Sequence, residues 1–367
     1  MSARVAFITY QPLLERAEGF FSPLASVRRE ILFPARALAI RGVATHVISL
    51  ATWPAAQVRE IIDKADRVVF GKLLAMPGEE TNAVFGSQAE AYRAVMHGGS
   101  VDGRAIFCFA DDHFDAPKFA AFYRDVAPIS RAWIASSQAL KNALEARASC
   151  PVFSYPEIAE MPRATARVPR HSFGERIGLW IARRARVGID PWRLKLLWFG
   201  HPTNVTSLLQ ELPALRAFAA KVPLVLECVT QPTPELARMA TPTAGMGSTA
   251  LRIIITPWAL ESMPPALADC DVVILPQLVN DPQKRSKSNN RLVDALQAGR
   301  FVVAHPLPSY EELRDFCWIG ESIAEGLNWL LGHPREALTR IVSGQRYLEK
   351  HHSLDALGDF WIKALAL

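Results

Sequence analysis

The alternation of short apolar runs with amphipathic segments constrains the fold of this chain more than any other feature of its sequence. Apolar runs of four to six residues occur at 5–10, 45–50, 67–70, 105–109 and 132–135. Segments such as 26–39, with apolar residues three and four positions apart, lie between these runs. Strands that alternate with helices in this way form a parallel sheet, so the first part of the chain predicts a doubly wound α/β domain.

The alternation stops at a basic segment and then resumes. Residues 156–193 contain four prolines, and nine Lys or Arg residues lie between Arg163 and Lys195 against two acidic ones. With nine basic and two acidic residues, Arg163 to Lys195 carries +7, more than the whole net charge of +5, and we interpret residues 156–193 as an interdomain linker. It contains one amphipathic helical pattern, at 177–187. We expect this helix either to contact an anionic membrane surface peripherally or to cover an interface.

Apolar runs and helical segments return at 195–199 and continue to 301–304. Four predicted parts follow. They are an N-terminal Rossmann-like domain (1–155), the basic linker (156–193), a C-terminal Rossmann-like domain (194–345), and a C-terminal helix that packs back on the first domain (346–367).

Composition excludes several other classes of protein. The mean hydropathy is +0.09 and no stretch of about 18 residues lacks charge, so we expect no membrane span. The N-terminus lacks a signal peptide pattern, which favours a cytoplasmic location. Five cysteines far apart in the sequence indicate free thiols, neither a disulfide framework nor a zinc site. Because the excess positive charge is local, we expect no nucleic-acid partner.

Polar residues follow the predicted strands of the first domain, where parallel sheets bind ligands. Asp111, Asp112 and His113 come after the strand at 105–109. We predict Asp112 or His113 as a catalytic general base, the alternative being a helix N-cap. Lys72 follows another strand, and Arg28 lies in an early helix; both are predicted to hold an acceptor on this side.

The second domain offers a corresponding set of donor-binding candidates after its strands. A glycine turn follows the first strand, a tryptophan follows the third, and a basic loop opens a later helix whose N–H groups favour a phosphate. The candidates are Gly200, Asn204, Trp258, Lys284, Lys287, Ser288, Asn289, Arg291 and Asp294. The alternatives are a solvated basic loop with an ordinary N-cap, a packing tryptophan and a helix-face salt bridge.

Three stretches resemble known motifs. LVDALQAGRFVVAHP (292–306) is similar to the E-A-x-A-x-G-x-P-V-V-A element of bacterial glycosyltransferases with the GT-B fold, of the group 1, family 4-like type. LWFGHPTN (197–204) looks like the first strand and glycine turn of their C-terminal domain. SVRREILFPARALAIRGVATHVISL (26–50) resembles their N-terminal opening. The resemblance covers most of the chain.

The resemblance implies a fold and an activity. It implies two Rossmann-like doubly wound parallel-sheet domains facing a cleft, which transfer a sugar from a nucleotide-activated donor to a hydroxyl acceptor such as a glycan or lipid-linked acceptor. We expect no metal or other cofactor, because protein cations and helix N–H groups can hold the phosphates. Ser286 and Asp294 replace the two glutamates of the family's E-x7-E pattern. A non-catalytic sugar- or partner-binding module and a nucleotide-sugar epimerase are therefore kept as alternatives.

Overall fold

A computed structural model describes residues 3–17, 19–73, 80–98, 101–115, 117–169, 193–240 and 250–366. The chain divides into two compact units. The first comprises Met1–Ile158, Ser286–Ser288 and His351–Leu367, and the second comprises Ala159–Arg285 and Asn289–Lys350. The predicted linker helix at 177–187 lies outside the described residues. Within the described part of the chain, no helix is long and apolar enough to cross a membrane.

The first unit contains a six-stranded parallel sheet, in the order β4-β1-β5-β6-β7-β8. Its strands are β1 (Arg4–Thr9), β4 (Ala44–Ser49), β5 (Arg67–Phe70), β6 (Ala105–Phe109), β7 (Ser130–Ala135) and β8 (Val152–Ser154). A two-stranded hairpin of β2 (Leu14–Arg16) and β3 (Gly19–Phe21) follows β1. The helices are α1 (25–40), α2 (Ala55–Asp63), α3 (Glu80–Gly98), α4 (Pro117–Val126) and α5 (Gln138–Glu145). Helices cover both faces, so the strands are continuous apolar runs.

Helix α1 is not a regular α-helix. Ala25–Val27 and Phe33–Ile40 are α-helical, and Arg28–Leu32 between them form a π-helical turn. The charged side chains of this π turn face the interior of the unit. Arg28, Arg29 and Glu30 are accordingly buried.

The C-terminal helix α13 (Leu354–Leu365) belongs to the first unit. Its Trp361 is fully buried and meets Phe7 of β1 edge to face, with ring centroids 5.6 Å apart. Arg41 at the end of α1 pairs with Asp359 at 2.7 Å. The last helix thus completes the core on one face of the first sheet.

The second unit contains another six-stranded parallel sheet, ordered β11-β10-β9-β12-β13-β14. Its strands are β9 (Leu194–Phe199), β10 (Leu224–Val229), β11 (Leu251–Thr256), β12 (Val272–Leu275), β13 (Phe301–Ala304) and β14 (Trp318–Ile319). Its helices are α6 (Val205–Ala219), α7 (Pro234–Ala240), α8 (Met263–Asp269), α9 (Pro282–Arg285), α10 (Asn290–Gln297), α11 (Ile323–Gly332) and α12 (Pro334–His351). In chain order the strands run 3-2-1-4-5-6, which is the Rossmann arrangement.

The segment that follows the first unit runs along α10 and β13. The backbone N–H of Glu160 donates to Asp294 Oδ1 at 2.7 Å. The backbones of Arg167 and Arg300 form an isolated parallel β-bridge. Gly299 has a φ of +71°, and a Cβ there would lie 2.5 Å from the carbonyl oxygen of Thr165. Residues 159–168, which the sequence predicts as linker, are therefore part of the second unit, because α10 and its glycine turn hold them.

Candidate functional site

The first unit carries a charged cluster at the carboxyl ends of β5 and β6, next to the point between β1 and β5 where its strand order reverses. Lys72 follows β5, and its ammonium group donates to Asp111 Oδ2 at 2.8 Å. Asp111 follows β6, and its other carboxylate oxygen contacts the Lys287 ammonium. His113 Nε2 lies 3.8 Å from Asp111 Oδ2. Parallel sheets bind ligands at such switch points, so this cluster is the candidate site of the first unit.

The charges of the cluster shift the pKa values of its members. Burial alone would raise the pKa of Asp111, but the charge of Lys72, the neighbouring His113 ring and the charge of Lys287 hold that pKa well below its usual value. Burial lowers the pKa of His113 despite the neighbouring carboxylate. At neutral pH the site therefore combines an ionised Asp111 with a neutral imidazole, which is the form that accepts a proton.

Asp112 has other partners. Its carboxylate pairs with Arg147 at 2.7 Å and accepts from the backbone N–H of Phe114 at 3.1 Å. This is the turn-capping role that the sequence allows for the Asp-Asp-His stretch. The structure thus places Asp111, and not the predicted Asp112, beside His113 and Lys72.

Arg28 and Arg29 are also occupied within the first unit. Arg28 donates to the carbonyl oxygen of Ser22 at 2.8 Å, and Arg29 forms a buried ion pair with Glu157 at the same distance. Both arginines are only 4% exposed. The predicted acceptor-side role therefore rests on Lys72, because Arg28 is directed into the interior of its unit.

The second unit has its own switch point, between β9 and β12. Gly200 follows β9, and a Cβ there would lie 3.1 Å from Arg291 Nη1. Arg291 donates to the carbonyl oxygen of Phe199 at 3.3 Å, and Lys284 Nζ donates to Asn204 Oδ1 at 3.0 Å. Of the predicted donor residues, Gly200, Asn204, Lys284 and Arg291 are thus brought together. Two cations beside a glycine turn can bind a diphosphate.

Two further polar residues, Gln277 and His305, follow neighbouring strands at the same edge of this sheet, and the sequence analysis missed them. Gln277 follows β12 and donates from Nε2 to the hydroxyl of Tyr310 at 3.2 Å. His305 follows β13 and lies 3.4 Å from Glu211 through Nε2. The available signal was their position after strands at 272–275 and 301–304. These side chains brace the strand ends near Arg291.

The other predicted donor residues have different surroundings. Trp258 is half-buried after β11, where its carbonyl oxygen accepts from Gln231 at 3.4 Å. Asn289 is the N-cap residue of α10, but its side chain accepts no capping hydrogen bond. Asp294 is 7% exposed and holds the Glu160 backbone, so it serves packing within the unit. Lys287 and the half-buried Ser288 group with the first unit.

Metal ligands are not clustered in the described ranges, where no group of three or more His, Cys, Asp or Glu side chains could hold an ion. All five cysteines are free, and four of them are buried. The polar centres of the two units are therefore built from lysine, arginine, histidine and single carboxylates.

The chain is similar along its whole length to solved glycosyltransferases. It aligns with WaaG, a glycosyltransferase involved in lipopolysaccharide biosynthesis, at 14% identity and a TM-score of 0.61, over 98% of this chain and 99% of that one. For HepE of Anabaena, in complex with UDP and glucose, the values are 13% and 0.62, over 99% of each chain. For the UDP-forming α,α-trehalose-phosphate synthase of Burkholderia vietnamiensis they are 12% and 0.58, over 100% of each.

Comparison by sequence finds neither a matching family model nor a matching curated protein. At identities of 12–14%, structural similarity shows the fold. The expected GT-B architecture of two Rossmann-like parallel-sheet units is thereby confirmed.

Proposed function

We propose that this chain is a glycosyltransferase that moves a sugar from a nucleotide-activated donor to a hydroxyl acceptor. The observation that carries the proposal is the position of Lys284 and Arg291 at the switch point of the second sheet. The fold that holds this sheet is similar over the whole chain to that of solved glycosyltransferases. Sugar transfer releases a phosphate, and cations at that point stabilise the negative charge that develops on it.

The donor nucleotide is proposed to bind the second unit. The HepE structures hold UDP or UDP-glucose, and the trehalose-phosphate synthase is UDP-forming, which favours a uridine donor. Lys284 and Arg291 would hold the diphosphate beside Gly200, whose missing side chain leaves room for close approach. Because two protein cations are already in place, we propose that no metal ion is required.

The acceptor is proposed to bind the first unit at Asp111 and His113. In the transfer, the bond between the sugar carbon and the phosphate oxygen breaks, and the acceptor oxygen bonds to that carbon. The acceptor hydroxyl loses its proton, which the neutral imidazole of His113 can take up. The ionised Asp111 then stabilises the imidazolium. Peripheral membrane contact through residues 177–187 and a cytoplasmic location stay predictions.

A thermal-shift panel tests the donor site. The protein is melted with UDP, GDP, dTDP, CDP, ADP or CMP at millimolar concentration, without added metal. A ligand that binds only the folded state stabilises it, by about 2.7 kcal/mol at a hundred times its Kd. We expect UDP to raise the melting temperature, and Lys284→Ala and Arg291→Ala to reduce that rise. The matched control is the neighbouring exposed Arg285→Ala, which should behave as the wild type.

Release of UDP from UDP-sugars then separates the alternatives. Acceptor-dependent release supports the transferase. Nucleotide binding without release, over a panel of sugars and acceptors, would favour the non-catalytic module. Conversion of one UDP-sugar into another without UDP release would favour the epimerase. A panel without any thermal shift contradicts the proposed donor site.

A further inference from the structure

The π turn of α1 buries a carboxylate directly beneath the Lys72–Asp111 pair. Glu30 lies in Arg28–Leu32 and is 1% exposed. Its Oε2 accepts from the backbone N–H of Lys72 at 2.8 Å. π turns interrupt α-helices at an energetic cost and occur often at functional sites. Here the turn supplies a side chain that holds the backbone of Lys72.

The second oxygen of this carboxylate is left without a partner. In the part of the chain that the structure describes, Glu30 Oε1 is buried and makes no hydrogen bond. An ionised carboxylate in that position is costly, and burial raises the pKa of Glu30 to about 7. Glu30 thus changes its charge in the neutral range, next to a site whose ion pairs depend on charge.

Both acids and bases face Glu30 from the surrounding elements. Lys72 and Asp111 follow β5 and β6, and Glu157 follows β8; Lys72 lowers the pKa of Glu30, whereas the two carboxylates raise it. Arg28 and Arg29 share its helical turn. Neutral groups also lie near the carboxylate, and these are Tyr92, Cys108, Tyr123 and Tyr155.

We propose that Glu30 is a positioning residue, which fixes the Lys72–Asp111 pair through the Lys72 backbone and sets the charge balance around His113. When Glu30 is protonated, it does not compete with Asp111 for the positive charge of Lys72. When Glu30 is ionised, it competes with Asp111 for that charge. The relevance of this positioning role to catalysis rests on the proposed function, whereas the Glu30–Lys72 contact and the charge of Glu30 do not depend on it.

The test follows His113 by NMR in protein labelled at histidine Cε1, with His113→Asn to assign the signal. In the wild type, we expect the His113 shift to have one inflection below 6.5 from the imidazole and a second near pH 7 from Glu30. Glu30→Gln keeps an oxygen for the Lys72 N–H but cannot ionise, so the second inflection should disappear. Glu30→Ala should displace the His113 signal at every pH.

Exposed Glu60→Gln on α2 is the matched control and should leave both inflections in place. A second inflection that persists in Glu30→Gln, or a wild-type spectrum for Glu30→Ala, overturns the proposal. If the transferase is active, its pH profile should lose a limb near pH 7 in Glu30→Gln. If Glu30→Gln loses the inflection but the wild-type protein transfers no sugar, the proposed function is refuted and the positioning role is supported.

Thermal melting gives a measurement that needs no ligand. The folded-state pKa of Glu30 lies above its unfolded value, so its contribution to stability is present at low pH and is lost as pH rises towards about 7. Between pH 5 and pH 8 the wild type should therefore lose more melting temperature than Glu30→Gln. Equal losses in the two proteins contradict the assigned charge of Glu30.

Discussion

At the scale of single residues, the candidate site of the first unit centres on Asp111, whose carboxylate contacts both Lys72 and Lys287. Residues 111–113 follow a strand, which predicts polar groups at the ligand edge of the sheet. Which of two adjacent aspartates points to the site depends on the turn after β6. In that turn, Asp112 pairs with Arg147 and Asp111 pairs with Lys72. Glu30 was not predicted as part of the site, because the spacing of apolar residues at 26–39 does not indicate the π turn that carries it.

The charge of Asp111 predicts how its removal changes stability. Asp111→Asn removes the carboxylate that pairs with Lys72 and Lys287, and we expect a loss of about 1–3 kcal/mol in the free energy of unfolding at pH 7. The folded-state pKa of Asp111 lies below its unfolded-state pKa. Its carboxylate therefore stabilises the fold at pH values above the unfolded-state pKa, and this contribution to stability fades as pH falls through about 4 and below. Urea unfolding at pH 7 and pH 3.5 measures this. An effect that grows at the lower pH contradicts the ion pairing.

Gly200 is the residue whose size should matter most for donor binding. Gly200→Ala puts a methyl group 3.1 Å from Arg291 Nη1, the flexible end of a side chain. The fold should tolerate this, while displacement of the guanidinium weakens UDP binding by about tenfold, or about 1.4 kcal/mol. Calorimetric titration measures the affinity. Gly86→Ala in α3, where no atom lies within 4 Å of the new methyl, is the control and should bind as the wild type.

At the scale of elements, the apolar runs predicted the strands well because both faces of each sheet are covered. Val5 to Ile8 and Val272 to Leu275 are fully buried, so these strands need no polar alternation. The π turn in α1 leaves no such signature, since its apolar residues still follow a helical spacing. Residues 159–168 were predicted as linker because the basic, proline-containing stretch 156–193 interrupts the alternation of strands and helices, although Glu160 binds Asp294 of α10 and Arg167 pairs with Arg300 next to β13.

Gly299 explains why that segment stays in place. Gly299→Ala combines a strained φ of +71° with a Cβ only 2.5 Å from Thr165 O, a backbone atom that cannot move away alone. Strain alone costs about 1–3 kcal/mol, and the clash adds to it. Gly42→Ala, at φ +79° with nothing within 4 Å, isolates the strain. Urea unfolding should show a clearly larger loss for Gly299→Ala, whereas equal losses would mean that the Thr165 contact is absent.

At the scale of the whole molecule, the alternation of apolar runs with helical segments, interrupted once by the linker, was enough to predict two separate sheets. The sequence predicts that the C-terminal helix (346–367) packs back on the first domain, but it does not predict that Ser286–Ser288 belong to the first unit as well. Packing decides it: Lys287 contacts Asp111, and Trp361 fills the space beside Phe7. The first unit therefore depends on residues at the far end of the chain.

That dependence predicts a regional effect of one distant substitution. Trp361→Ala removes a fully buried indole and should cost the first unit about 3–5 kcal/mol. Hydrogen exchange followed by mass spectrometry should then show faster exchange in β1, α1 and β5, while β9, β12 and β13 keep wild-type protection. Leu338→Ala, at a side chain 39% exposed on α12, is the control and should change neither region. Uniformly faster exchange across both sheets would show that the two units unfold together.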